Sequence, residues 1–409
     1  MNNKKPQWIA GLELGSRQFT LAVGQLDERQ HLVVRAVESV PAQGVEKGVL
    51  SDPIECSDTV ARLMREVEKL VNAKVSKVLA AVPGSHLKSY NASASVPIPD
   101  PAVGISNRDV ARAVSTCRTL SLDYDRQILH AFERGFAVDG QLGIKDPVGL
   151  CGTKLTVELH LVTALNLAVQ NVTRVLNRAG LEVEQLVLPG LAAAEAVLSD
   201  LDRDLGVTLI LIGDNQTEVL LFTDGVVRET LLLPWGTDHL GEFISRVLKL
   251  PRAAGEQLVD QARTLEEHPE AASVPLRVKS GSLSKSFPES EVTRLLAGRT
   301  KEFLSRLRRR LDESPYFRES AAGIVIVGNL ARMEGFLEMA EGLLNMPVRL
   351  GIAREMETDP RVTLGTAHAT AVGLLRCGVR RRSSSVRSIH ASPVLRWLER
   401  TREVIEEYF

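Results

Sequence analysis

One pattern returns at half-chain spacing and constrains the fold more than any other feature. Near the start, "WIAGLEL" (Trp8–Leu14), "FTLAVGQL" (Phe19–Leu26) and "HLVVRAVESV" (His31–Val40) read as three short strands separated by small polar turns. A helical stretch follows, "SDTVARLMREVEKLVNA", with Ser57 or Asp58 as its cap, and then an apolar strand, "KVLAAVP". From residue 207 the same order recurs as "VTLILI", "EVLLF", "VVRETLLLP" and the helix "TDHLGEFISRVLKL". Glu13 and Leu211 each stand second-last in an incoming strand, 198 positions apart. Two copies of a strand–strand–strand–helix unit predict a two-lobed α/β fold of duplicated origin. Its two hairpin turns would face each other across a cleft, the default place for a ligand.

The 409 residues exceed one ordinary core and predict two to four domains. A chain that is 44% hydrophobic and 25% charged, with net charge −1, has an ordinary globular composition and lacks the basic excess of a dedicated nucleic-acid binder. Cys56, Cys117, Cys151 and Cys377 lie far apart with no CxxC pair, which argues against a zinc site or disulfide framework and fits a reducing cytoplasm. Met1–Gln7 is polar and no apolar run reaches about 18 residues, so neither signal peptide nor transmembrane helix is expected. The histidines, His86 and His130 included, show no ligand spacing and read as structural. No Ser–His–Asp, GxSxG or HExxH arrangement appears, so no catalytic residue and no metal ligand is assigned.

Residues 84–163 read as a compact insert packed beside the first lobe, with a good helix, "ISNRDVARAVSTCRTL", and an alternating strand, "KLTVELHLVTA". After residue 250 come a polar stretch, the helix "TRLLAGRTKEFLSRLRRRLDES", the apolar strand "GIVIVG" and the turn "NLARMEG". "RCGVRRRSSSVRSIHASP" lacks apolar periodicity and reads as a flexible linker.

Several of these segments resemble FtsA, the actin-like bacterial cell-division family. "GLELGSRQFTLAVG" is similar to its first phosphate hairpin. "GVEKGVLSD" and "VPGSHLKSYN" match segments bordering its inserted domain. The insert stretch "DRQILHAFERGFAVDGQLGIKDPVGLCGTKLTVELHLVTA" is the most specific, because that insert sets FtsA apart among actin-like proteins. "AGIVIVGNLARMEGFLEMAEGLLNMPVRLG" resembles the adenosine-side loop, and "TAHATAVGLLRCG" the helix returning to the first lobe. The resemblance implies an actin-like, duplicated ribonuclease-H-like two-lobed fold with an SHS2-like insert. Laid over this chain, it gives a first lobe over 1–83 with 164–198 and 360–379, and the insert over 84–163. The second lobe covers 199–234 with 300–359, and its smaller subdomain 235–299. A flexible linker at 380–393 and an amphipathic helix at 394–409 complete it.

The nucleotide site is where the chain departs from the family. Phosphate loops need glycine so that backbone N–H groups can approach, and the bridging metal needs carboxylate oxygens. The family's second hairpin, Asp-Ile-Gly-Gly-Gly-Thr-Thr-Asp, is here "LIGDNQTE". Gly213 and Thr217 remain. Leu211 replaces the aspartate, Asp214 and Asn215 replace two glycines, and Glu218 replaces the last aspartate. Leucine cannot hold hydrated magnesium. Asp214 would repel phosphates, or is simply a solvated turn aspartate. Arg17 reads as a phosphate contact or a solvated turn arginine. The family's Gly-Gly-Asp-His-Ile-Thr-Asn-Asp becomes "GTDHLGEF", its helix lysine becomes Val259, and its "TGG" loop becomes "VGN". Weak nucleotide contacts through Glu13, Gly15, Ser16, Gly213, Thr217, Gly236, Glu256 and Gly328 stay open, with ATP and magnesium the only cofactor suggested. Efficient hydrolysis is not expected.

At the C-terminus, "PVLRWLERTREVIEEYF" places Val394, Leu395, Trp397, Leu398, Val404, Ile405, Tyr408 and Phe409 on one half of a helical wheel. The family resemblance implies a membrane anchor lying in the headgroup plane, with Trp397 and Tyr408 suited to that interface. The helix carries three arginines and four glutamates, so attraction to anionic lipid would come mainly from Arg376, Arg380, Arg381, Arg382 and Arg387. A protein-docking tail is the alternative. Together these features imply a peripheral protein on the cytoplasmic face of the membrane at the division septum. It would tether FtsZ polymers, self-associate into filaments and meet other division proteins. An active actin-like ATPase is the competing reading. A sugar kinase of the same superfamily lacks its catalytic carboxylate here and would not carry this insert.

Overall fold

The computed structural model describes residues 7–27, 31–81, 84–266, 275–280, 283–353 and 356–390; the 394–409 segment lies outside the described residues. The first lobe opens with an antiparallel meander of β1 (Gln7–Leu14), β2 (Gln18–Leu26) and β3 (Leu32–Pro41). A short ribbon, β4 (Val45–Glu46) and β5 (Val49–Leu50), leads into helix α1 (Pro53–Val71), and β6 (Lys77–Ala81) then runs parallel to β1. Helix α1 begins earlier than the Ser57/Asp58 cap expected from sequence. Asp52 accepts from the backbone N–H groups of Ile54 and Glu55 at 2.9 and 3.0 Å, and the preset φ of Pro53 suits the first helical position.

The insert is a four-stranded sheet with one helix. Its elements are β7 (Leu87–Pro97), α2 (Asn107–Leu120), β8 (Arg126–Val138), β9 (Gln141–Ile144) and β10 (Lys154–Leu165), in sheet order β7-β10-β8-β9. The alternation seen in β10 is realised: Leu155, Val157, Leu159 and Leu161 are buried together with Ala113 and Cys117 of α2. Ser106 and Asp109 close a capping box at the start of α2.

After the insert come α3 (Asn166–Arg178), β11 (Glu182–Val187), α4 (Pro189–Val197) and α5 (Asp200–Leu205). The second lobe repeats the meander as β12 (Val207–Ile212), β13 (Thr217–Thr223) and β14 (Val226–Leu233). It continues through α6 (Asp238–Val247), α7 (Arg252–Gln261), the hairpin β15 (Pro275–Ser280) and β16 (Leu283–Pro288), and α8 (Glu289–Asp312). It ends with β17 (Ile324–Val327), α9 (Phe336–Leu344) and β18 (Val348–Leu350). The chain returns to the first lobe with β19 (Glu357–Thr358) and α10 (Ala369–His390). The first sheet has the order β11-β6-β1-β2-β3-β19 and the second β18-β17-β12-β13-β14, so five strands of each lobe follow one topology. Each central meander therefore ends its first strand at the same place, the cleft between the lobes.

Three sequence expectations change. Helix α8 runs unbroken through residue 299, because Gly298 has open space around it and nothing interrupts the helical bonds; a subdomain boundary there would cut a helix. The proposed linker from 380 is helical to His390. No Gly or Pro lies between Val379 and His390, and Arg380, Arg381 and Arg382 are bonded to neighbouring elements. Arg380 pairs with Glu195 at 3.0 Å and Asp200 at 3.3 Å, Arg381 bonds the Glu184 carbonyl, and Arg382 bonds the Trp8 carbonyl at 3.1 Å. Arg376 donates to the Glu195 carbonyl at 3.2 Å, so these groups hold the helix to the lobe instead of reaching towards lipid. Close packing makes this seat: a Cβ on Gly373 would lie 1.8 Å from the Ala192 carbonyl oxygen, so α10 can approach α4 only with glycine there.

The third change concerns the insert. It packs against β14 of the second lobe as well as against the first lobe. Ser89 Oγ donates to the Thr230 carbonyl at 2.6 Å, and Lys145 pairs with Asp224 at 3.0 Å. His160, 1% exposed, lies between Asn91 Oδ1 (Nδ1, 2.7 Å) and Thr230 Oγ1 (Nε2, 3.0 Å). Burial, with Arg134 nearby, pushes its imidazole down to about 4. The folded chain thus refuses a proton that the unfolded chain accepts below about 6.5, and stability is lost as pH falls from there through 4. We expect His160 to contribute a loss on the order of 3 kcal/mol across that window, opposed by the buried acids Glu13 and Glu218, and His160→Gln to remove that contribution. Urea titrations at pH 7, 5.5 and 4 decide it; equal pH slopes for parent and variant would refute the assignment.

Candidate nucleotide cleft

The cleft is built from the two hairpin turns. Gly15, Ser16 and Arg17 close the β1–β2 hairpin, and Gly213, Asp214, Asn215 and Gln216 close β12–β13. The turns face each other, since the Arg17 backbone N–H donates to Asp214 Oδ2 at 3.2 Å. The cavity between the lobes measures about 1030 Å³, ample beside the roughly 300–1,000 Å³ of common ligand pockets.

Of the residues expected at the site, Glu13, Gly15, Ser16, Gly213 and Gly328 line the cavity, while Thr217, Gly236 and Glu256 do not. Thr217 is buried and donates to the Trp235 carbonyl at 2.8 Å. Glu256 is drawn away by Arg252 Nε at 2.6 Å. Gly236 serves close approach: a Cβ there would lie 2.3 Å from the Asp214 carbonyl oxygen, where the start of α6 is stapled to the turn. The staple consists of Thr237 N–H to the Gly213 carbonyl (3.1 Å) and Asp238 N–H to the Asp214 carbonyl (2.8 Å).

Leu211 and Ile212 are 9% and 2% exposed on the central strand β12, so an apolar side chain stands where the family places its metal-side carboxylate. The remaining acids cannot readily take over. Burial pushes the Glu13 carboxyl up to about 8, with Asp214 and Glu218 adding to the rise and the Thr370 hydrogen bond opposing it. Burial also pushes Glu218 up to about 7, although its Oε2 accepts from Gly190 N–H at 2.6 Å and its Oε1 from Gln216 at 3.2 Å. At neutral pH Glu13 therefore mostly keeps its proton and Glu218 is divided between its two forms, so a divalent cation would have to displace protons to use them. Asp214 is likewise raised by desolvation, against the pull of Arg17. Among the described residues, no cluster of histidine, cysteine and acidic side chains suits a metal ion.

The reading of Arg17 and Asp214 as solvated turn residues does not hold. Both line the cleft, and their charges face each other across it. Arg17 Nε donates to Asp238 Oδ1 at 2.6 Å and Nη1 to Asp260 Oδ1 at 2.8 Å. The available signal was a new cation in one hairpin turn and a new anion in the other, at nearly equivalent places.

Two sheets of common topology, an interlobe cleft and an insert in the first lobe define an actin-like protein. Solved structures agree on the fold. The "PilM-PilN type IV pilus biogenesis complex" aligns with TM-score 0.64 and 16% identity, covering 91% of this chain and 98% of that one. MreB5 of Spiroplasma citri bound to ADP aligns with TM-score 0.54 and 11% identity over 94% and 99%. Residues 84–163 match the family described as "SHS2 domain inserted in FTSA", and residues 208–373 match "Cell division protein FtsA". Curated relatives with that second name include those of Pseudomonas aeruginosa and Escherichia coli K12. The first is 27% identical over 380 residues, 92% of this chain and 91% of the relative; the second is 28% identical over 381 residues, 90% of each. The chain belongs to the FtsA family of cell-division proteins.

Proposed function

We propose that this chain tethers FtsZ polymers to the cytoplasmic face of the membrane at the septum, and assembles with further copies of itself and with other division proteins. It does so with little or no ATP hydrolysis. The observation that carries the reading is a cleft of FtsA architecture in which a buried leucine, Leu211, stands at the metal side and burial raises the neighbouring acids Glu13 and Glu218. No helix among the described residues is long and apolar enough to cross a membrane, which is consistent with peripheral attachment. The family resemblance puts FtsZ contacts on the smaller subdomain of the second lobe. A hollow of about 220 Å³ lies at the border of that subdomain, between the end of β14 and helix α8, where Trp235 stacks on Phe303 at 3.6 Å beside Arg299, Arg306 and Arg310. It would suit a short segment combining apolar and acidic side chains.

Co-sedimentation tests this reading. FtsZ polymers should pellet with anionic liposomes only when the chain is added, and Arg306→Glu should reduce recovery about tenfold by opposing the acidic side chains. Recovery of FtsZ without the chain, or unchanged recovery with Arg306→Glu, would remove the support. The competing reading, an ATPase whose nucleotide controls polymerisation, is favoured by one observation, the cleft volume of about 1030 Å³.

A further inference from the structure

Two cations of the first lobe meet carboxylates of the second across the mouth of the cleft. Arg17 bonds Asp238 and Asp260 through its guanidinium and Asp214 through its backbone N–H. Lys47, on the β4–β5 turn, reaches Glu242 of α6 at 3.0 Å. Arg252 of α7 ties Glu242 at 3.3 Å and Asp238 at 3.6 Å into the same network. The sign pattern is one-sided, with cations from the first lobe and acids from the second, so the pairs attract only while the lobes are closed. A bound nucleotide would act at the same place, its phosphates lying between the two turns.

We infer that Arg17 and Lys47 form a clasp that holds the lobes closed without nucleotide, side-chain charge standing where a phosphate bridge would otherwise join the two turns. The inference rests on the reading of the cleft as lacking metal–nucleotide chemistry. Exposed ion pairs contribute little, but this cluster is sheltered: the side chains of Arg17, Asp214 and Asp238 are 27%, 22% and 8% exposed. Removing the guanidinium would leave three acids crowded at the mouth, two of them partly desolvated. These acids all belong to the second lobe, so with Arg17 gone nothing at this point attracts the first lobe to them, and the lobes separate more readily. Lys47 is the milder element, because Glu242 keeps Arg252 when Lys47 is removed.

Hydrogen–deuterium exchange of the 15–18 and 213–217 turns, read alongside small-angle scattering of the full chain, tests the clasp. In the parent, exchange should be slow and unaffected by millimolar Mg·ATP. Arg17→Ala should speed exchange in both turns about tenfold and enlarge the radius of gyration, and Lys47→Ala should speed it about threefold. Arg361→Ala, which breaks a pair with Asp359 inside one exposed loop, should match the parent. If Arg17→Ala does not fold, Lys47→Ala carries the decision. Parent-like exchange in the variants overturns the clasp. Added protection of the parent by Mg·ATP overturns the underlying view of the cleft, while the variants without nucleotide still decide the clasp.

Discussion

Supplied with millimolar ATP and magnesium, the purified chain will release phosphate no faster than background and will bind ATP weakly or not at all. A hydrated divalent cation needs fixed oxygen donors, and Leu211 offers none. Glu13 and Glu218 would each have to give up a proton first, since burial pushes them to about 8 and about 7. Asp214 accepts from Arg17 and, at 3.3 Å, from Thr237 Oγ1, so its carboxylate is engaged. Losing metal-assisted charge neutralisation should cost several kcal/mol, on the order of a thousandfold in rate. Leu211→Asp alone should not restore turnover, because Arg17 and Asp214 would still join the two turns. A phosphate-release assay with equilibrium binding of labelled ATP checks both statements. Micromolar affinity together with turnover abolished by Glu13→Ala would refute them.

The double change Trp397→Glu with Leu398→Glu will remove most binding to anionic vesicles. The sequence from Val394 to Phe409 puts eight large apolar side chains at helical spacing, and as a helix it would measure about 24 Å, too short to span a bilayer. Full burial of such a side chain contributes roughly 1.5–3 kcal/mol, and shallow insertion about half of that. Losing two anchors and placing two charges among lipid tails should therefore cost about 3–5 kcal/mol, or roughly a hundred- to several-thousandfold in partitioning. Glu403→Lys, on the polar half, should keep or strengthen binding. Liposome co-sedimentation reads both. Arg380, Arg381 and Arg382 cannot be counted on to help, because they are engaged with the first lobe. The apolar half of the segment must supply most of the affinity. A double variant that pellets like the parent would make the tail a protein-docking element.

Much of this was readable along the chain because the relevant signals are local. The duplicated meander is a matter of apolar runs and small polar turns within about forty residues, and it appears as two sheets of one topology. The alternation of β10 already separates the buried from the exposed face of the insert. Leu211 is an apolar residue in an apolar strand, and its effect on metal binding follows from its side chain alone. Helix ends were less legible. The start of α1 at Pro53 depended on an aspartate just outside the periodic stretch, and α10 outran its apolar pattern because arginines found carbonyls and carboxylates on another element.

What the sequence by itself determined, then, is the duplicated fold and the loss of the metal-side carboxylate, both carried by residues close together in the chain. Only the tertiary structure decided what became of the cleft. Arg17 meets Asp214, Asp238 and Asp260 across 197, 221 and 243 residues of chain, and Lys47 meets Glu242 likewise across the cleft. Each of these groups alone reads as a solvated surface charge. Their pairing, the proton held by Glu13 and the docking of His160 on Thr230 all arise from desolvation and proximity between separately folded segments. Those quantities exist only once the lobes have closed.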